Sequence, residues 1–206
     1  MAHCSPVDLL ALHAVRLRGF VDSEGAAQRF ALDPVAVDEH LLDVQARGWV
    51  SWSDFAGTRG WSLTDAGRAA DEAALAGELD AVGARAEVES VHTAFLPLNA
   101  LLGDAATRWQ LRPTPTDAFA ANSHDDAGWD ARVLDDLGRV DVGLRALAPR
   151  LATRLERFAG YDTRFATALE RARDDPAWVT GVGVDSCHRV WFELHEDLIA
   201  TLGLTR

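Results

Sequence analysis

Lysine is absent from this 206-residue chain, and all 20 of its basic residues are arginines. Its 32 acidic residues give a net charge of −12 at neutral pH. Residues 1–80 hold six arginines against thirteen acidic residues, and residues 81–206 hold fourteen against nineteen, so neither half is basic. Because phosphate contacts supply much of the affinity for nucleic acid, any DNA binding must use a local arginine cluster.

Cysteine and long apolar runs are also scarce. The two cysteines, Cys4 and Cys187, lie far apart in the chain, which disfavours a disulfide framework and is typical of a reducing compartment. No apolar run approaches the roughly 18 residues of a membrane-spanning helix, and the N-terminus lacks the basic start and apolar core of a signal peptide. We therefore expect a cytoplasmic protein with no membrane partner.

The chain also lacks the common catalytic motifs. It contains no G-x-S-x-G, no phosphate-binding P-loop, no C-x-x-C pair and no G-x-G-x-x-G followed by a strand–helix–strand pattern. An enzyme is therefore the least favoured class of function, and the sequence indicates no particular cofactor.

The segment "DPVAVDEHLLDVQARGW", residues 33–49, predicts a helix that begins after Asp33 and ends at Gly48. Two shorter helical patterns precede it. "WVSWSDFAGTRGWSL" then predicts a two-stranded hairpin, and Thr64 or Asp65 begins another helix. The order is three helices, a hairpin and a further helix.

This order, with "WSLTDAGRAA" after the hairpin, resembles the winged helix-turn-helix domain of MarR-like regulators over residues 5–75. The resemblance implies a DNA-binding domain at residues 1–75. The region from 76 to 206 reads as helical throughout, and we expect Pro97 to stop or kink one helix and Pro149 to begin another. The expected fold class is mainly α, with a winged helix followed by an all-helical domain.

The second half carries a resemblance of its own. "FLPLN", "WQLRP", "NSHDDAGWD" and "HRVWFELHEDLIATLG" are similar to a helical region of actinobacterial winged-helix proteins, which in some cases is joined to phosphoenolpyruvate-utilising proteins. The resemblance implies that residues 76–206 sense a ligand or mediate dimerisation.

The predicted third helix raises a difficulty for DNA binding, because it carries three carboxylates and ends with a single arginine. One explanation is a homodimer that takes its affinity for double-stranded DNA from other residues. The candidates are Arg29, Arg47, Thr58 and Arg59, of which Arg59 is expected at the exposed tip of the hairpin. The alternative is a winged helix that no longer binds DNA and serves as a regulatory or protein-interaction module.

A pocket for a small or anionic effector is expected in the helical half, because unusual histidine and tryptophan residues concentrate there. The candidate ligand-binding residues are Arg112, His124, Trp129, His188, Trp191 and His195. The competing interpretation of the loop "ANSHDDAGWD" is that Asp125 or Asp126 caps the next helix. In the last helix, Glu193, Glu196 and Asp197 are expected to face water.

A metal site is a weaker hypothesis. A carboxylate and a histidine stand three residues apart in two helical segments, a spacing that directs both side chains to one point. The candidate ligands are Glu89 with His92 and Asp185 with His188. Such short pairs occur often by chance in an acidic chain, so the sequence predicts no metal site beyond these candidates.

Overall fold

A computed structural model describes residues 2–55 and 57–204, which are mainly helical with one small antiparallel sheet. In chain order the helices are α1 (Val7–Arg18), α2 (Ser23–Phe30), α3 (Pro34–Ala46), α4 (Asp65–Val82), α5 (Arg85–Gln110), α6 (Ala127–Ala152), α7 (Tyr161–Arg171), α8 (Ala177–Thr180) and α9 (Cys187–Leu202). The two strands are β1 (Val50–Phe55) and β2 (Thr58–Leu63), and one turn of 3-10 helix spans Glu156–Phe158. The mainly helical class expected from the sequence is confirmed.

The chain divides into two compact units. The N-terminal unit runs to Val88 and also contains Thr153–Arg157 and the chain from His195 onward. The central unit consists of Glu89–Ala152 and Phe158–Leu194. Segments distant in sequence therefore contribute to the N-terminal unit.

Helix α3 forms where its local signals predict it. The Asp33 carboxylate accepts a hydrogen bond from the Val35 backbone N–H at 3.1 Å, which satisfies one of the free N–H groups of the first turn. Val37, Leu41 and Val44 share one side of the helix and are at most 1% exposed. This stripe joins an apolar core that α1, α2 and both strands also enter.

The hairpin of β1 and β2 is attached to that core through Val50 of the first strand and Trp61 of the second. Trp52 and Trp61 stand opposite each other, with ring centroids 4.8 Å apart in an edge contact, and Trp61 is 3% exposed. Val21, in the connection before α2, exchanges two backbone hydrogen bonds with Trp61 at 3.1 and 2.7 Å. The inner end of the hairpin is thereby fixed, while Phe55 and Thr58 lie at its exposed outer end.

Helix α4 begins in close contact with the chain that enters the hairpin. The Thr64 hydroxyl donates to the Gly48 carbonyl at 2.6 Å and accepts from the Gly67 backbone N–H at 3.0 Å. A Cβ atom on Gly67 would lie 1.9 Å from the Trp49 carbonyl oxygen. Thr64 therefore caps α4 as predicted, and only glycine fits at the third position of this helix.

Helices α5 and α6 correct the helix end expected at Pro97 and the helix start expected at Pro149, while a kink at Pro97 stays a prediction. Pro97 lies inside α5 and Pro149 inside α6, so neither residue ends or begins a helix. A proline removes one backbone hydrogen bond, but buried residues on both sides of each proline keep these helices packed. Within residues 2–55 and 57–204 no helix is long and apolar enough to cross a membrane.

Candidate functional site

The predicted DNA contacts fall in different environments. Arg29 is only 9% exposed, and its guanidinium lies 4.4 Å from the Phe30 ring centroid. This corrects its expected role as a surface contact, because a buried guanidinium does not reach a phosphate. Arg47, Thr58 and Arg59 are exposed. Arg59 is the second residue of β2, opposite Asp54, close to the outer end of the hairpin where it was expected.

The solvent face of α3 is acidic and apolar. Glu39 and Asp43 are exposed, and so are Val35 and Leu42, with 65% and 51% of their surface accessible. Val35 and Leu42 are seven residues apart and hence lie on the same side of the helix. The only arginine of this region, Arg47, follows the last turn of α3.

The third carboxylate of α3 has a structural role. Asp38 accepts a hydrogen bond from the Ser23 hydroxyl, which itself accepts from the indole N–H of Trp61 at 2.9 Å. One chain of hydrogen bonds thus joins α3, α2 and β2. Asp38 is engaged in this network, whereas the exposed Glu39 and Asp43 form no ion pair with residues 2–55 and 57–204.

The loop before α6 assembles three of the six predicted ligand-binding residues. Arg112 donates to Asp125 and to Asp126, both at 2.8 Å. The His124 Nδ1 lies 3.0 Å from an Asp130 carboxylate oxygen, and its ring contacts Trp109 with centroids 4.6 Å apart. The third residue is Trp129, whose indole N–H donates to the Arg108 carbonyl at 2.8 Å.

These contacts favour the capping interpretation of the loop. Asp126 accepts from the backbone N–H of Trp129 at 3.0 Å, and this hydrogen bond together with the Arg112 guanidinium holds the pKa of Asp126 below its usual value. Arg112 already spans two carboxylates, so it is not the free anion contact that was expected. His124 adopts a positive φ of 57° and closes the same loop.

The other three predicted pocket residues do not join this cluster. Trp191 is 2% exposed, stacks on Phe95 with ring centroids 4.4 Å apart, and donates to the Asn99 side chain at 2.9 Å. It is therefore a core residue of the central unit and cannot line an open pocket. His188 is exposed in the central unit, and His195 is half-buried in the N-terminal unit.

The last helix also buries the acids that were expected to face water. Glu193, Glu196 and Asp197 are 1%, 7% and 0% exposed, because arginines from other segments neutralise them. Arg164 donates to Glu193 at 2.7 Å in the central unit, and Arg16 donates to Glu196 at 2.9 Å in the N-terminal unit. These carboxylates can be buried because guanidinium groups replace the water that would otherwise solvate them.

A buried charge cluster in the N-terminal unit is the largest feature that the sequence did not reveal. Its members are His13, Arg16, Arg29, Asp71, Glu78, Arg157, Glu196 and Asp197, none more than 9% exposed. His13 bridges two carboxylates, with Nδ1 3.2 Å from Asp71 and Nε2 3.2 Å from Asp197. Arg157 also binds Asp197, and it donates to Glu78 at 3.0 Å. The segment 153–157 and the end of α9 are thereby tied to α1 and α4.

The metal candidates are not brought together. Glu89 is exposed, and Asp185 is bound by Arg164 through two hydrogen bonds of 2.8 and 2.6 Å. Within residues 2–55 and 57–204, no group of three or more histidine, cysteine or acidic side chains is arranged to hold a metal ion. Burial raises the pKa of the Cys187 thiol to about 12, so this cysteine is a poor ligand and a poor nucleophile at neutral pH.

A cleft in the N-terminal unit, here called the α1–α4 cleft, has a cavity volume of about 430 Å³. Its lining residues are His3, Pro6, Asp8, Leu9, Leu12, His40, Arg47, Trp49, Ala70, Ala74 and Glu78. They come from the chain before α1, from α1, from the middle of α3 and the connection that follows it, and from α4. None of the six predicted effector residues is among them.

Comparison with known proteins identifies no relative, since no family model, no curated protein sequence and no solved structure matches this chain.

Proposed function

We propose that the chain is a DNA-binding transcriptional regulator in which residues 5–75 act as a winged helix-turn-helix. The support is the hairpin. It shares one apolar core with α1, α2 and α3, and its outer end presents Thr58 and Arg59 to solvent. Arg59 forms no ion pair with the residues 2–55 and 57–204, so its guanidinium is available for a phosphate or the edge of a groove.

In this proposal the hairpin supplies the affinity and α3 supplies discrimination. Glu39 and Asp43 repel phosphate, but a carboxylate in the major groove accepts a hydrogen bond from the cytosine amine. Homodimer formation doubles the number of arginine contacts. The central unit then has the role of dimerisation or ligand sensing.

The test is fluorescence anisotropy with labelled DNA from upstream of the protein's own gene, measured over a range of salt concentrations. Arg59→Ala should weaken binding to every sequence and reduce the slope of log affinity against log salt by about one unit. Arg139→Ala, which removes an exposed arginine of the central unit, is the control and should leave binding unchanged. Equal affinities and slopes for the wild type and Arg59→Ala contradict the proposal.

The second candidate is a protein-interaction module, and the exposed face of α3 favours it. Val35 and Leu42 form an apolar pair beside Glu39 and Asp43, and Phe55 at the end of the hairpin is 82% exposed. The complementary surface would be apolar with basic residues around it. The basic residues of such a partner would attract Glu39 and Asp43, the same acidic residues that repel the phosphates of DNA.

A charge-neutral variant of α3 separates the two candidates. Glu39→Gln with Asp43→Asn removes two repulsive charges without touching the Asp38 network, so it should tighten binding to nonspecific DNA if α3 approaches phosphate. Failure of the wild type and of this variant to bind DNA even at low salt would exclude the regulator and leave the interaction module.

Dimer formation is tested by a separate experiment. Sedimentation equilibrium of the full chain should give a dimer at the concentrations where DNA is bound. A monomer on DNA would remove dimerisation from the proposal but would leave the Arg59 contact in place.

A further inference from the structure

The central unit contains a cavity, here called the α7–α8 cavity, with a volume of about 300 Å³. Its lining residues are Thr163, Arg164, Thr167, Arg171, Trp178 and Asp185. They belong to α7, to α8 and to the connection that follows α8. The volume is at the lower end of the range for small-molecule pockets, so the cavity suits a compact ligand.

The Arg171 guanidinium, on the last residue of α7, has no ionic partner in the part of the chain that the structure describes. It lies over the Trp178 ring, 4.5 Å from guanidinium carbon to ring centroid. Asp175, four residues later, instead accepts from the Ala177 backbone N–H at 3.0 Å. The indole N–H of Trp178 also lacks an acceptor among the described residues. A permanent cation and a second N–H donor are thus available, which suits a carboxylate.

The first two turns of α7 present oxygen acceptors to the same cavity. The Thr163 hydroxyl donates to the Gly160 carbonyl at 3.0 Å, and the Thr167 hydroxyl donates to the Thr163 carbonyl at 2.9 Å. Both hydroxyls therefore keep only acceptor lone pairs for a ligand. The Asp185 carboxylate accepts from Arg164 at 2.8 and 2.6 Å, and its side chain is 37% exposed. Since a carboxylate oxygen accepts more than one hydrogen bond, Asp185 adds a negative charge to these acceptors.

The charges around the cavity leave one cation uncompensated. Arg164 is shared between Asp185 and Glu193, and the Arg189 Nε lies 3.7 Å from Glu193. These two arginines and two carboxylates are neutral together, so the positive charge of Arg171 remains. A simple anion would compensate Arg171 but would leave the acceptors near Asp185 without a donor. A ligand that also carries an ammonium group satisfies both sets of groups.

We propose that the α7–α8 cavity binds a small amino acid whose ammonium and carboxylate groups lie at opposite ends of the molecule. The carboxylate pairs with Arg171 and the Trp178 indole N–H, and the ammonium donates to Thr163, Thr167 and Asp185. Thr163 and Arg171 are eight residues apart on α7, about 12 Å along the helix axis, so several bonds must separate the two charged groups. This inference gives the central unit a ligand and does not depend on DNA binding.

The probe for the test is 6-aminohexanoate, titrated in the absence of DNA into the full-length protein, which is isotopically labelled for nitrogen NMR spectroscopy. The chain has seven tryptophans, and the indole N–H signal of Trp178 is identified by its loss in Trp178→Phe. This signal should shift to saturation with a dissociation constant of about 1 mM or lower, as ordinary ligand efficiency gives for a ligand of this size. Arg171→Gln should weaken binding about tenfold or more, because it removes a charge-assisted contact. Arg173→Gln removes an exposed arginine of the same unit outside the cavity and should leave the affinity unchanged.

Two matched analogues test the two ends of the ligand separately. Hexanoate lacks the ammonium group and 1-aminohexane lacks the carboxylate, so each should bind the wild type about tenfold more weakly than the probe. Binding of 1-aminohexane should be insensitive to Arg171→Gln. Thr167→Val, which removes an acceptor from an exposed position, should weaken binding of 6-aminohexanoate but not of hexanoate.

Three results would overturn the proposal. The first is a Trp178 signal that does not shift to saturation at about ten times the expected dissociation constant. The second is equal affinity of the wild type and Arg171→Gln for 6-aminohexanoate. The third is binding of hexanoate as tight as that of 6-aminohexanoate, because the ammonium group would then have no partner in the cavity.

Discussion

His13 should stabilise the N-terminal unit as a buried cation, and its replacement tests how the charge cluster is balanced. The imidazole is 0% exposed and lies 3.2 Å from both Asp71 and Asp197. Burial alone would lower the pKa of His13, but the two carboxylates outweigh it and raise the pKa above its usual value. Despite burial, the Arg157 guanidinium and then the contact with His13 hold the pKa of Asp197 well below its usual range.

The charges of the buried cluster also indicate that His13 is protonated. The cluster holds three buried arginines and four buried carboxylates, so a protonated His13 makes it neutral. A neutral His13 would leave one carboxylate without compensation in a region that excludes water, which is costly.

His13→Gln keeps a polar side chain of similar size and removes the charge. Removing one partner of a buried ion pair costs about 3–5 kcal/mol. For a chain of this length that corresponds to a fall in Tm of roughly 6–20 °C. Urea unfolding followed by far-ultraviolet circular dichroism measures the loss. His188→Gln, at an exposed position in the central unit, should change the free energy of unfolding by less than about 0.5 kcal/mol.

The pH dependence supplies the sharper criterion. Because the pKa of His13 is raised in the folded state, its stabilisation is complete below the unfolded pKa of about 6.5 and is lost as pH rises through the folded pKa. The difference in free energy of unfolding between the wild type and His13→Gln should therefore be largest below about pH 6.5 and should decrease as the pH rises through the raised folded-state pKa. A loss below about 1 kcal/mol, or a difference independent of pH, would refute the assignment of a buried imidazolium.

Other substitutions test single contacts. Gly67→Ala should lower the free energy of unfolding, measured in urea, by about 3 kcal/mol or more, because its Cβ would overlap a backbone carbonyl. Gly77→Ala, in open space on the same helix, should instead raise the free energy of unfolding by about 0.5–1 kcal/mol. Equal effects of the two would contradict the close approach. Thr64→Ala should lower the free energy of unfolding by about 1–2 kcal/mol through loss of the α4 cap, with Thr64→Ser restoring most of it. A thiol-reactive disulfide reagent should modify the exposed Cys4 in the native protein and Cys187 only after unfolding, and rapid native labelling of Cys187 would show that its raised pKa and burial are wrong.

Local structure was the most predictable part of this protein. Asp33 begins α3 and Thr64 begins α4 because each side chain accepts a backbone N–H within three residues of itself. The buried stripe of α3 follows from helical periodicity in the same way. The helix end expected at Pro97 and the helix start expected at Pro149 were wrong, because the packing of the long helices outweighs the cost of one missing hydrogen bond.

The candidate sites were less predictable, because residue type does not report proximity. Histidine and tryptophan content suggested one pocket in the helical half, yet His124 closes a loop and Trp191 fills a core. The α1–α4 cleft has no local signature, since its lining comes from four separate stretches of the N-terminal unit. Arg47 was singled out by its charge, but the sequence did not indicate that it would lie over Trp49.

The sequence by itself determined the mainly helical class, the position of the hairpin and the acidic net charge, because these depend on composition and on contacts within a few residues. Only the tertiary structure decided which charged side chains lie inside. Arg16 meets Glu196 across 180 positions of the chain, and Arg157 meets Asp197 across 40. A carboxylate in the last helix is a solvent-facing residue by pattern alone, and it becomes a core residue only when a guanidinium from a distant segment replaces the water that would otherwise solvate it.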